Sequence, residues 1–324
     1  MGNAISYAAW TQSYYIPAPT LTEKNLPDQA GRVHIVTGGY AGVGEQLTNI
    51  LYRKGAKVYV AGRSETKAKA AIERVKSTCP DASGELLFLK LDLADLPSIK
   101  TSAEVFLAKE SRLDVLVNNA GVMFPPKGSK TAQDHDLQFG TNCLGPHLFT
   151  KHLHPILKQT AATSPSNTVR VIWASSLGIQ VLSPVGGIQF DTSGKPKDIN
   201  QMANYAQTKV GNTLLAIKTQ EILKDAGVVS VSFNPGNLRT ELARHTTGAV
   251  LVSWLMHPAV YGAYTELYSG WSPDITVDKG ITYVIPWGRD GTAIVRDDIM
   301  QGIKNDDLAN KFWKYCEEET TQYA

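Results

Sequence analysis

Thr37-Gly38-Gly39-Tyr40-Ala41-Gly42-Val43-Gly44 is the stretch that decides how the rest of the chain is read. It follows a β-branched run at residues 33–36 and leads into a segment where Val43, Leu47, Ile50 and Leu51 recur at the helical period. Glycines at 38, 42 and 44 permit a tight turn and close approach of a ligand to the backbone. The free N–H groups and positive dipole end of the next helix would then face that ligand. The spacing is G-x-x-x-G-x-G, not the commoner G-x-G-x-x-G, and a glycine-rich loop alone is just a turn. Set between a strand and a helix at the start of a βαβ unit, it predicts a cradle for the pyrophosphate of a dinucleotide, with Tyr40, Ala41 and Val43 lining it.

Outward from this loop the chain alternates. Near-continuous apolar runs at 33–36, 58–60, 86–89, 115–117, 169–172 and 228–233 read as strands buried on both faces, and a short seventh is expected near 283–285. Amphipathic stretches lie between them, such as the one presenting Leu96, Ile99, Ala103, Phe106 and Leu107 on one face. Repeated βα units imply an α/β fold, a doubly wound parallel sheet of Rossmann type with right-handed crossovers and flanking helices. Pro17, Pro19 and Pro27 make residues 1–31 read as an N-terminal extension. Residues 32–324 show no linker or repeat and read as one domain, with a small helical lid from 177–204 and 237–270.

Composition excludes several classes. A 324-residue chain with 43% apolar and 19% charged residues and a formal net charge of +2 offers no electrostatic case for nucleic acid. Cys79, Cys143 and Cys316 are odd in number and far apart, which suits a reducing compartment and suggests neither disulfides nor a metal site. His135, His152, His154 and His257 lack metal-ligand spacing as well. With no secretory pattern and no apolar run near the roughly 18 residues of a membrane span, a cytoplasmic protein is expected. Met1-Gly2-Asn3-Ala4-Ile5-Ser6 fits the myristoylation template, and Trp10, Tyr14 and Tyr15 follow, so weak peripheral membrane association through Gly2 is a further expectation.

The second strand ends in Ala61-Gly62-Arg63-Ser64. An acidic residue here would bind a ribose 2′-hydroxyl; Arg63, with Ser64 and Lys67 as added donors, would instead pair with a 2′-phosphate, which favours NADP over NAD.

Several motifs then fall in a familiar order. Asp92 and Leu93 follow the third strand, Asn118-Asn119-Ala120-Gly121 the fourth, and Asn142 lies on the next helix. Ser175-Ser176 ends the fifth strand, Tyr205-Ala206-Gln207-Thr208-Lys209 forms a YxxxK pattern, and Pro235-Gly236 closes the sixth strand ahead of Leu238 and Thr240. Residues 32–240 thereby resemble the short-chain dehydrogenase/reductase family. The long gap from Ser176 to Tyr205 and the ending Tyr283-Val284-Ile285-Pro286-Trp287-Gly288 resemble its retinol-dehydrogenase-like branch and a group of fungal reductases.

The resemblance implies NADP(H)-dependent interconversion of a ketone or aldehyde and its alcohol. Tyr205 would be general acid in reduction and general base in oxidation, and Lys209, one helical turn on, would lower its pKa and hold the nicotinamide ribose. Ser176 would stabilise charge on the substrate oxygen, with Ser175 still open, and Asn142 would hold a water linking Lys209 to solvent. Asp92 would meet the adenine, and Asn119, Ala120, Gly121, Pro235, Gly236, Leu238 and Thr240 would complete the cofactor site. Many relatives dimerise through the helices holding Asn142 and Tyr205, which makes a homodimer an expectation.

The substrate side is apolar: Ile179, Val181, Leu182, Val185, Ile188 and Phe190 in one segment, and Leu242, Val250, Leu251, Trp254, Leu255 and Met256 in another. A bulky hydrophobic alcohol or ketone of retinoid, steroid or polyketide kind fits this pattern, although the same residues would equally fill core or a subunit contact. Gly186, Gly187 and Gly194 suggest a loop that orders on binding. Two other readings stand beside the redox one: a non-catalytic NADP-binding scaffold, which has no need of the Asn142, Ser176, Tyr205, Lys209 set, and a non-redox enzyme on the same fold, such as a cyclase.

Overall fold

Strands β1 (Val33–Thr37), β5 (Arg170–Ala174) and β6 (Val229–Phe233) are buried along their whole length, as apolar runs covered by helices on both faces must be. With β2 (Lys57–Gly62), β3 (Glu85–Lys90), β4 (Val115–Asn118) and β7 (Tyr283–Ile285) they form a parallel sheet in the order β3-β2-β1-β4-β5-β6-β7, to which β8 (Arg289–Asp290) adds an antiparallel edge. The computed structural model describes residues 2–14, 16–239, 256–280, 283–305 and 307–324. The expected α/β fold is therefore present as one domain, and β8 was not anticipated. Two residues carry no readable strand period.

Alternation along each strand sends side chains to two cores. Ile35, Val171 and Trp173 face one cluster, and Val36, Ile172 and Ala174 face the other. The first is covered by α4 (Leu96–Leu107), α6 (Gly145–Ala162), α8 (Gln201–Leu223) and α11 (Leu308–Thr320), the second by α2 (Gly42–Arg53), α3 (Glu65–Thr78) and α9 (Ala259–Trp271). The apolar stripe of α4 packs as expected except for Leu107, its last residue, which is exposed. Three further helices are α1 (Gly2–Ser13), the four-residue α7 (Gly178–Val181) and α10 (Asp297–Asn305); α5 (Leu137–Phe139) is a single turn.

The segment expected as an extension is built into the domain. Residues 2–13 are helical, Leu21 and Leu26 are buried in the cluster beneath α2, and Gln29 accepts hydrogen bonds from Trp271 and pairs with His34. Pro17 and Pro19 lie between the helix and Leu21, and Pro27 directly follows Leu26.

The chain runs β1, β2, β3 to one side and returns at β4 beside β1. The carboxyl ends of β1 and β4 therefore open a crevice at this reversal, where ligands bind in open α/β sheets.

Candidate active site

The crevice floor is held by one threonine. Thr37 Oγ1 donates to the Val117 carbonyl (3.1 Å) and accepts the N–H groups of Asn119 (3.0 Å) and Ala120 (2.9 Å), while Asn119 Nδ2 donates to the Thr37 carbonyl (2.8 Å). Gly38 (φ +68°) and Gly42 (φ +56°) take the left-handed conformation that the turn requires. A Cβ on Gly44 would lie 2.7 Å from both the Gly38 carbonyl and Asn119 Nδ2. Ala41 gives α2 no side-chain cap, so its first-turn N–H groups face the loop unclaimed by a cap. The cradle that only glycine leaves open and the uncapped helix start fit a dinucleotide pyrophosphate.

At the end of β2, Tyr40 lies against Gly62 so closely that a Cβ there would come within 2.2 Å of its ring. Arg63 is exposed beside it, and Ser64 caps α3 by accepting from Lys67 N (3.4 Å). Asp92 accepts from Ala94 N (3.0 Å), and Leu93 is buried against Gly145.

Across the crevice, α8 brings the YxxxK pair to the ends of β4 and β5. Tyr205 is buried beside the Ser176 hydroxyl, both lining the space at Gly178, and its ring meets Phe124 edge-on at 5.4 Å between centroids. Ser176 Oγ accepts from Gly178 N (3.0 Å), and the buried Tyr283 hydroxyl donates to the Ser176 carbonyl (3.0 Å). Ser175 points away: its hydroxyl donates to the Lys209 carbonyl (2.9 Å) and accepts from Thr213 (3.2 Å). Lys209 Nζ lies 5.6 Å from the Tyr205 ring centroid and donates to the Ala174 carbonyl (2.9 Å). Its other two N–H groups have no protein acceptor among the described residues.

Lys209, together with an oxidised nicotinamide, was expected to lower the Tyr205 pKa; in the protein alone burial pushes it up to about 12, with the Ser176 hydroxyl pulling the other way. Burial also pushes Lys209 down to about 8, opposed by nearby Cys143. In the protein alone, then, the tyrosine hydroxyl is held protonated at neutral pH.

Asn142 sits in a π-helical turn, residues Gly140–Leu144, that interrupts the passage from α5 to α6. Its Oδ1 accepts from Val122 N (2.8 Å), and its Nδ2 donates to the Val122 carbonyl (3.0 Å) and to Thr208 (3.1 Å). Both amide hydrogens are thus committed to holding the β4 loop against α8. A Cβ on Gly121 would lie 3.0 Å from Asn142 Oδ1 and 3.6 Å from Lys209 Nζ, so the space above this glycine joins the two.

After β6, Gly236 (φ +96°) lies under the Trp287 ring, where a Cβ would meet it at 2.6 Å. Leu238 is buried and contacts the position of Gly262 in α9. Thr240 and the expected substrate-lining residues Leu242, Val250, Leu251, Trp254 and Leu255 lie outside the described residues. Of the other set, Ile179, Ile188 and Phe190 pack into the core, while Val181, Leu182 and Val185 are exposed. The glycine-rich stretch between them is pinned: Gln207 bonds Gln189 N and the Lys197 carbonyl, and Asp298 accepts from Gly186 N.

Sequence reasoning passed over Phe124, Tyr283, Trp287 and Gln12. Tyr283 and Trp287 lie in the quoted ending, but nothing in its spacing says that it folds back onto Ser176 and Gly236. Among the described residues no group of acidic, histidine or cysteine side chains is placed to hold a metal ion.

A sequence profile of the short chain dehydrogenase family matches residues 32–185. A short-chain dehydrogenase/reductase of Phomopsis amygdali is 44% identical over 98% of this chain and 97% of its own. Among solved structures, an uncharacterised protein from Mycobacterium paratuberculosis superposes with a TM-score of 0.66 at 25% identity, over 93% of this chain and 97% of its own. A metagenomic short-chain oxidoreductase in complex with NADP shares the fold with a TM-score of 0.56 at 22% identity, over 79% and 96%. The chain belongs to the short-chain dehydrogenase/reductase family and is an oxidoreductase.

Proposed function

We propose that this protein is an NADP(H)-dependent carbonyl reductase that converts a hydrophobic ketone or aldehyde to its alcohol, with Tyr205 as proton donor. The observation that carries the reading is the Ser176–Tyr205–Lys209 arrangement, a hydroxyl pair and an ammonium gathered at the carboxyl ends of β4 and β5 beside an open dinucleotide cradle. A reduced nicotinamide, when bound, supplies the hydride. Gly38, Gly42, Gly44 and the start of α2 would hold its pyrophosphate, Arg63 and Ser64 its 2′-phosphate, and Lys209 its ribose. As hydride reaches the carbonyl carbon, negative charge grows on the oxygen, where the Ser176 and Tyr205 hydroxyls stabilise it. Tyr205 then gives its proton to that oxygen, completing the alcohol, and the tyrosinate left behind is next to the Lys209 ammonium. The hydroxyl is protonated at neutral pH, so the donor is loaded before the reaction begins. Asn142 acts by fixing the β4 loop and α8 relative to each other.

A scaffold that only bound dinucleotide would have no use for a buried tyrosine beside Ser176. The test is consumption of NADPH with a panel of bulky apolar ketones and aldehydes, with chromatography of the alcohol. Stoichiometric alcohol supports the reading; tight NADPH binding with no oxidation on any carbonyl sinks it in favour of a scaffold or a non-redox activity.

Two finer parts of the proposal concern the surroundings. The Gly2 template and the exposed Tyr7 and Trp10 of α1, with the exposed Tyr14 just after it, support weak membrane attachment; Tyr15 lies outside the described residues. Flotation of the myristoylated protein with vesicles, lost in Gly2→Ala, is the expected result. A homodimer would need a surface other than the α8 face that Phe312 of α11 covers at Gly211, and light scattering reads the state directly.

A further inference from the structure

We propose that the last turn of α1 is a clamp on the nicotinamide side of the site, with Gln12 as the positioning residue. This rests on reading the loop after β6 as the one that meets the nicotinamide. Three consecutive residues hold two strand-end segments, the β7–β8 hairpin and the loop after β6. The Thr11 carbonyl accepts from Arg289 Nη2 (2.7 Å) in the β7–β8 hairpin, and Gln12 Oε1 accepts from Asn234 Nδ2 (2.9 Å). Ser13 Oγ accepts from Asn237 Nδ2 (2.8 Å), and the Ser13 carbonyl lies 3.3 Å from His257 Nε2. Gln12, Ser13 and Asn234 are all buried, and the helix also packs against α7, immediately after Ser176. Residues more than two hundred positions away in sequence thus bridge the two segments that flank the catalytic pair.

The amide chemistry gives Gln12 a defined task. Asn234 has one acceptor and one donor end, and rotation by half a turn would exchange them. Oδ1 accepts from Gly236 N (3.0 Å), which closes the Pro235-Gly236 turn; the other end must then be a donor, and Gln12 Oε1 is the acceptor that receives it. Gln12 therefore satisfies the donor end of Asn234 in the orientation that fixes the Gly236 backbone, so that the docked α1 supports the shape of the loop. Without that acceptor the buried Nδ2 is left unpaired, and a flipped Asn234 would no longer hold Gly236.

Gln12→Met keeps the length of the side chain and removes the acceptor; Gln12→Glu keeps an acceptor oxygen. Three readouts are needed: hydrogen exchange of peptides covering residues 234–239, kcat and KM with NADPH, and affinity for 2′,5′-ADP, which probes only the adenine end. In Gln12→Met, exchange at Gly236 should rise and kcat fall, each by roughly tenfold, with 2′,5′-ADP affinity unchanged, and Gln12→Glu should restore both. Ser13→Ala, a milder break in the same clamp, should raise exchange at the same peptides if Gln12→Met does not fold. Unchanged exchange in the variants, unchanged kcat and KM despite faster exchange, or loss of 2′,5′-ADP affinity would each overturn the clamp. If wild type neither binds nor oxidises NADPH, the redox reading fails, while the exchange data still decide whether α1 sets the shape of the loop.

Discussion

The two sides of the crevice are made differently. On the β1–β4 side, contacts to the dinucleotide would come from backbone: the glycines of the first loop, the free N–H groups of α2 and the turn that Thr37 ties to Asn119 and Ala120. On the β5–β7 side the walls are side chains gathered from distant parts of the chain: Gln12 and Ser13 from the beginning, Tyr283 and Trp287 from near the end. A backbone site demands glycine at fixed intervals in one short stretch. A side-chain wall can be supplied from anywhere in the chain. Tyr205 and Lys209 sit on the seam.

The largest expected effect tests whether the seam separates binding from chemistry. Tyr205→Phe removes the proton donor and leaves the ring against Phe124. We expect kcat for carbonyl reduction to fall by roughly a thousandfold, with NADPH affinity within a fewfold of wild type by fluorescence titration. Equal losses in both would mean that the two sides do not act separately. Next in size is Arg63→Ala, expected to cost roughly 10- to 100-fold in NADPH affinity and little in NADH affinity, since an exposed guanidinium there would pair only with the 2′-phosphate. Equal loss for both dinucleotides would contradict the proposed NADP preference.

How much could be read without the structure follows the same division. Gly38, Gly42, Gly44, Asn119 and the YxxxK pair were legible because each signal is local and helix or strand period places it. The seven parallel strands were legible for the same reason. Ser176 was preferred to Ser175 only through the resemblance, because adjacent residues on a strand end face opposite ways and no composition rule says which faces α8. The role of residues 1–31 was hidden too. Three prolines describe the local chain, but the docking of α1 depends on Asn234, Asn237 and Arg289, which no local pattern links to Gln12. The Tyr205 shift in the protein alone was not legible, because it comes from burial, which local spacing does not reveal; the lowering expected from Lys209 concerns the site with an oxidised nicotinamide bound.

The pH dependence should sharpen that last point. Tyr205, raised to about 12, stays protonated through the neutral range, while Lys209, lowered to about 8, carries its charge below that pH and loses it above. For reduction, kcat/KM for NADPH reports the free enzyme and should be level below pH 8, then fall by up to roughly tenfold per unit as Lys209 deprotonates. In Lys209→Arg the residual activity should lose this break, because a guanidinium remains charged. A break that persists in the variant would assign it to another group.

The smallest effect belongs to Ser175→Ala and gains its meaning from its neighbour. Ser176 lies beside Tyr205 at the crevice, so Ser176→Ala should lower kcat by roughly a hundredfold or more. Ser175 instead donates to the Lys209 carbonyl and accepts from Thr213, both on α8. Its loss removes one partner from a buried helix carbonyl that Thr213 Oγ1 also reaches (3.4 Å), which should cost about 1 kcal/mol or less in a denaturant titration. Lys209 Nζ would keep its bond to Ala174, and Asn212 Nδ2, which donates to the same carbonyl (2.8 Å), would still hold α8 to β5. Turnover should therefore change by less than about threefold, in line with an ordinary buried hydrogen bond. A large kcat loss in Ser175→Ala with stability intact would reverse the assignment of the two serines. A large loss of both would show that the position of Lys209 depends on this one hydroxyl, and that the seam is less rigid than its paired contacts to Ala174 imply.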